Sequence, residues 1–133
     1  MSNAAELFID GASSGNPGPA AIGVVLRSGR LKKELSKYIG VATNNVAEYL
    51  ALTYGLTICL FCGVKKIVVK TDSQLLANQI NGIYKIKNKN LRIFYDLNKY
   101  LISAFSFFKI EYVPRSQNKL ADKLACLALK ELR

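Results

Sequence analysis

Three strand-like runs precede any helical periodicity, and that order restricts this chain to few folds. Residues 6–10 form a short apolar run that ends in an acid, residues 20–27 a longer one, and residues 31–39 alternate loosely after Ser28-Gly29-Arg30, as the second arm of a hairpin does. Between the first two runs lies a turn cluster of Gly, Ser and Pro at residues 11–19. Helical spacing starts at Asn44 and lasts until Gly63, a natural stop. The spacing then predicts a strand at 66–72, a short helix at 73–81, a polar basic stretch at 83–90, a helix at 91–104, a strand at 107–113 and an amphipathic helix at 118–132. The order βββ-α-β-α-α-β-α predicts an α/β fold, a mixed sheet with helices on its faces. No repeat, low-complexity tract or linker interrupts it. The 133 residues read as a single domain over 5–133, with residues 1–4 set apart as a tail of the kind a cloning vector leaves.

Charge narrows the partners. Lys and Arg number 19 against 9 Asp and Glu, giving a formal charge of +10 that attracts polyanions, nucleic acid foremost. No apolar stretch is long enough to span a bilayer, and no basic-then-apolar leader is visible, so the expected setting is the cytoplasm without membrane attachment. Histidine is absent, which removes Ser-His-Asp and Cys-His devices and every imidazole metal site. Cys59-Leu-Phe-Cys62 matches C-x-x-C in form, but it falls late in an apolar helical segment with no second ligand pair. It and Cys126 read as packed thiols of a reducing compartment.

The nine acids are few enough to sort. Glu6, Glu34, Asp96, Glu111 and Glu131 lie near Lys or Arg or on polar faces and read as surface charges. Asp10 ends the first strand and Asp72 the fourth; taken singly, the first is a turn former and the second a helix N-cap. Glu48 heads an apolar stripe through Leu52, Gly55, Cys59 and Cys62, in a segment with no Lys or Arg to pair with it. Asp122 heads another through Ala125, Cys126 and Leu129, with Lys119 as a candidate partner. Adjacent strand ends with helices packed across them can gather all four carboxylates. Their mutual repulsion would call for hard divalent cations, and oxygen-only ligation favours Mg²⁺ or Mn²⁺. Two such ions about 4 Å apart clamp the oxygens of a phosphodiester.

Four blocks together carry a resemblance. Asp10-Gly-Ala-Ser-Ser-Gly-Asn-Pro-Gly-Pro19 after a strand, Thr43-Asn-Asn-Val-Ala-Glu48 opening a helix, Thr71-Asp-Ser-Gln74 ending a strand, and Val113-Pro-Arg-Ser-Gln-Asn118 followed by Ala121-Asp122 resemble type I ribonuclease H, in order and in register with the expected elements. The resemblance implies the ribonuclease H-like fold, a five-stranded mixed sheet flanked by helices. It implies an endonuclease that cleaves the RNA strand of RNA–DNA hybrids with two Mg²⁺ or Mn²⁺ ions and leaves 3′-hydroxyl and 5′-phosphate ends; the chain itself is expected to be a monomer. Asp10 would bridge both ions, Asp122 would share the one that activates water, and Glu48 and Asp72 would hold the other.

By the same resemblance, Gly11, Ser13, Asn16, Asn44, Asn45 and Gln74 would line the minor groove of the hybrid, where amides can donate and accept. Thr43 and Asn88 would form a pocket for a DNA-strand phosphate. The chain departs from many family members in lacking a histidine between the last strand and last helix; Arg115 lies there and would touch the scissile phosphate or help release product. It resembles histidine-less members, for which fewer contacts imply weaker binding and a preference for Mn²⁺. Two other readings share the scaffold. One is a catalytically silent nucleic-acid-binding module. The other is a junction resolvase or transposase-like nuclease, against which the Gly-Asn-Pro-Gly turn and the Asn-Asn pair argue.

Overall fold

The structure is a computed structural model, and it describes residues 4–131. Of the N-terminal tail only Ala4 falls within it, and Leu132, expected to close the last helix, lies outside it.

The strands are β1 (Ala5–Ser13), β2 (Gly18–Ser28), β3 (Leu31–Ala42), β4 (Lys66–Thr71) and β5 (Phe107–Tyr112). They form one five-stranded sheet in the order β3-β2-β1-β4-β5. The β1/β2 and β2/β3 pairs are antiparallel, while β1/β4 and β4/β5 are parallel. The helices are α1 (Asn44–Phe61), α2 (Gln74–Ile80), α3 (Lys89–Ile102) and α4 (Lys119–Lys130), the last preceded by a 3₁₀ turn at Arg115–Gln117. This is the mixed sheet flanked by helices that the element order predicts.

Alternation along β1 sorts the layers. Leu7 and Ile9 are fully buried and pack toward α1, whose inner face carries Ala51, Leu52, Leu56 and Cys59. Residues of opposite parity face α4, which packs across β1, β2 and β3. Thr43 starts α1 by accepting the Val46 N–H on Oγ1 at 3.2 Å. Gly63, at φ +76°, ends it in the left-handed conformation that a side chain would resist.

Two strands run further than composition indicates. β1 continues through Gly11, Ala12 and Ser13, which pair with Ile22, Ala21 and Ala20. The turn shrinks to residues 14–17, so Asp10 sits inside a strand instead of ending one. β3 extends to Ala42 by taking up an irregularity opposite Ala20 and Ala21, where Gly40 adopts φ +92°. At the other end of the chain, Asn88 caps α3 by accepting from Asn90 N–H (2.8 Å) and Leu91 N–H (3.2 Å), so that helix begins two residues before the apolar pattern does.

Candidate active site

Asp10 pairs with Gly23 in the β1/β2 ladder and is 5% exposed. A glycine on each side of it allows a helix to come close. A Cβ on Gly11 would lie 2.4 Å from the Ala47 carbonyl carbon and 2.5 Å from the Glu48 nitrogen, so α1 rests directly on the β1 backbone there. The bare Gly11 N–H donates to Glu48 Oε1 at 2.9 Å. A Cβ on Gly23 would lie 1.9 Å from the Ala121 carbonyl oxygen, so α4 rests on β2 and carries Asp122 to the same place from the other face.

Asp72 completes the group from the residue after β4. The N-cap role that its position invites belongs to Ser73, whose Oγ accepts from Leu76 N–H at 3.1 Å. Asp72 is left for the site. One carboxylate oxygen each from Asp10, Glu48 and Asp72 lie within 4.8 Å of one another. Asp122 lines the same open cavity of about 340 Å³, with Ser13, Asn44, Tyr112 and Arg115.

The acids cannot all be charged without help. Burial, then the Glu48 and Asp72 charges, raise the Asp10 carboxyl to about 9. Burial and Asp72 raise Glu48 to about 8, against a lowering contribution from the Gly11 N–H. The partner of Asp122 is Arg115, at 3.2 Å, in place of the Lys119 that helical spacing offers. Arg115 is three-quarters exposed, and its guanidinium is held further toward the charged form by the carboxylate beside it. Four of the five acids read as surface charges pair with Lys or Arg: Glu6 with Lys70, Glu34 with Lys32, Asp96 with Arg92 and Glu111 with Lys109. Cys59 is buried, with its thiol pushed up to about 12 by that burial; Cys62 and Cys126 are half-buried, and all three are free.

The amides expected to meet substrate form two groups. Asn44 Oδ1 accepts from Ser13 N–H at 3.0 Å, and Asn16 Oδ1 accepts from Asn44 N–H at 2.9 Å, tying the β1–β2 turn to the start of α1. Asn16, Thr43, Asn45, Asn88, Asn90 and Leu91 line a second cavity of about 170 Å³ where α1 and α3 begin. Two helix N-termini therefore open on one hollow, an arrangement suited to an anion. Gln74 is exposed on the first turn of α2, two residues from Asp72. Sequence reasoning missed two residues. Tyr112, at the end of β5, is half-exposed in the acid cavity, and Asn118, 1% exposed, bonds across to β1. Tyr112 left no signal in the sequence. Asn118 left one: its spacing of four before Asp122 is one helical hydrogen bond.

A family profile described as Reverse transcriptase-like matches residues 8–128. Ribonuclease HI of Halobacterium salinarum is 41% identical over 126 residues, covering 93% of this chain and 63% of that protein. A bifunctional protein of Mycobacterium tuberculosis is 40% identical over 119 residues, covering 87% of this chain. The chain spans 33% of that longer relative's length. The crystal structure of RNase H1 from Halobacterium salinarum superposes with a TM-score of 0.90 at 39% identity, covering 96% of this chain and 98% of that one. LC11-RNase H1, isolated from compost and solved in complex with an RNA/DNA hybrid, gives 0.87 at 31% identity, covering 96% and 97%. With its four acids drawn together by Gly11 and Gly23 on the sheet these relatives share, the chain belongs to the type I ribonuclease H family.

Proposed function

We propose that this chain hydrolyses the RNA strand of RNA–DNA hybrids with two bound Mg²⁺ or Mn²⁺ ions, leaving 3′-hydroxyl and 5′-phosphate ends. One observation carries the reading: three carboxylate oxygens within 4.8 Å of one another, with a fourth acid on the same cavity, in a chain of charge +10. The donor set fits hard cations. It is all oxygen, and the raised proton affinities of Asp10 and Glu48 mark a place where positive charge is wanted. Asp10 and Asp122 would hold one ion, and Asp10, Glu48 and Asp72 the other. Bound there, such ions supply Lewis-acid activation of water and charge neutralisation at the phosphate.

The protein's own groups do the rest. Gly11 N–H fixes the Glu48 carboxylate. Asn44 and Asn16 hold the β1–β2 turn against α1, at the edge where a minor groove would lie, with Gln74 and Asn45 as further amides. The hollow at the start of α1 and α3, with Thr43 and Asn88, would take a phosphate of the DNA strand. Arg115, exposed beside Asp122, would reach the scissile phosphate in the position where other family members keep a histidine. The RNA/DNA hybrid in the LC11-RNase H1 structure supports this choice of substrate.

The test is cleavage of an end-labelled RNA–DNA hybrid in Mg²⁺ and in Mn²⁺, beside RNA–RNA and DNA–DNA duplexes, with Asp72→Asn as the control for contaminating nuclease. Hybrid-only cutting that disappears in the variant is the expected result. Hybrid binding with no cutting under either ion would leave a binding module and refute the enzyme.

A further inference from the structure

Asn118 begins α4 and is 1% exposed. Its Nδ2 donates to the carbonyl oxygen of Ile9 at 2.8 Å, and Ile9 is the residue before Asp10. Its own main-chain oxygen accepts from the Asp122 N–H at 3.1 Å. Two hydrogen bonds through one residue therefore join the backbone that carries Asp10 to the backbone that carries Asp122.

The bonding is unusual for this place. Asn at a helix N-terminus ordinarily turns its oxygen onto the first-turn N–H groups. Here the side chain makes no capping bond, and Oδ1 is buried with no partner among the described residues. A buried amide with its acceptor unused is a poor choice for stability alone. Its donor half is what the site uses. An apolar residue of the same size would take this donor away from the Ile9 carbonyl, and Asp would set a carboxylate against it. Gly23 lets α4 approach the sheet, and the Asn118–Ile9 bond ties the start of that helix to β1.

We propose that Asn118 is a positioning residue that holds Asp122 in register with Asp10, so that these two carboxylates can share one divalent ion. The inference rests on the metal reading given above. Its test is Mn²⁺ binding by calorimetry to the wild type, Asn118→Ala and Ile67→Ala, with Tm for each and the Mn²⁺ midpoint of hybrid cleavage. Ile67 is a buried residue near the far end of β4, so its variant measures what loss of stability alone does to the site. Groups that orient metal ligands are worth about 10–100-fold in affinity. Asn118→Ala is expected to weaken Mn²⁺ binding at least tenfold and move the cleavage midpoint by the same factor, with KM for the hybrid unchanged. Ile67→Ala, with a comparable fall in Tm, should bind as the wild type does. Binding by Asn118→Ala within twofold of the wild type, or a weakening that Ile67→Ala reproduces, overturns the inference alone. A wild type that takes up no Mn²⁺ overturns the metal reading and the inference with it.

Discussion

Adding one methyl group at Gly23 should disable the site from the face of the sheet that α4 covers. A Cβ there would lie 1.9 Å from the Ala121 carbonyl oxygen, against the 3.0 Å that real side chains keep, and 2.8 Å from the Ala125 nitrogen. Both obstacles are helix backbone, so neither can swing aside. The only relief is for α4 to withdraw from β2 by about 1 Å, and Asp122 is the next residue after Ala121. A displacement of that size at reacting groups costs roughly 100-fold in rate, and overpacking of this kind costs about 1–3 kcal/mol of stability. Gly23→Ala is therefore expected to lower kcat/KM on an RNA–DNA hybrid by about two orders of magnitude while the protein still folds. Single-turnover cleavage in Mn²⁺, with Tm from circular dichroism, measures both. Ala20→Val, at a buried β2 position on the opposite face of the sheet, separates crowding of the sheet from displacement of the helix. Near-wild-type cleavage by Gly23→Ala at a near-wild-type Tm would refute the idea that α4 must rest on that backbone to place Asp122.

Three further outcomes follow from the same geometry. In the absence of divalent ions, Asp10 and Glu48 keep protons up to about 9 and about 8 in the fold, whereas the unfolded chain releases them near their ordinary values of 3.8 and 4.5. The folded state then binds more protons across that window, so stability should fall as pH rises from about 5 to 9. With no histidine, no side chain of ordinary pKa titrates between pH 5 and 8, so Tm in EDTA should report these two acids, and Mn²⁺ should raise Tm more at pH 8.5 than at pH 5.5; a flat profile would contradict the assignment. Arg115→Ala should leave Tm within about 4 °C, because an exposed pair contributes under about 1 kcal/mol, yet lower kcat on the hybrid; Arg115→Lys recovering full activity would deny it a forked contact to phosphate. Tyr112→Ala should raise KM for the hybrid more than Tyr112→Phe does, as loss of a stacking face predicts, and equal effects would point to the hydroxyl instead.

Much of this was legible in the sequence because strands and helices alternate in a pattern few folds satisfy. The acids were legible because Glu48 stands on an apolar stripe with no local cation. The tertiary requirements were not. Nothing in the composition of residues 11–19 shows where pairing stops, so Asp10 reads as a strand end when it lies inside β1. Asp72 and Ser73 are both good N-caps, and only the hydrogen bond to Leu76 separates them. Lys119 has the right helical spacing to meet Asp122, but the 3₁₀ turn brings Arg115 closer. Gly23 looks like an ordinary interruption of a strand, because its reason is a helix that arrives about a hundred residues later.

The hairpin that carries Asp10 also sets where the molecule can breathe. β1 is the middle strand, paired with β2 from Glu6 to Ser13 and with β4 from Ala5 to Ile9, and helices rest on both faces of the sheet at that level. Amides there can exchange with solvent only when the whole sheet opens. Arg115 sits on a three-residue turn with no buried member, and Asn88 on an exposed loop end. Hydrogen exchange should therefore be slowest at the carboxylate that all the others surround and fastest at the rim. On the proposed activity, a long nucleic acid would then be gripped and released by local opening of the periphery, while the centre would keep its shape through turnover.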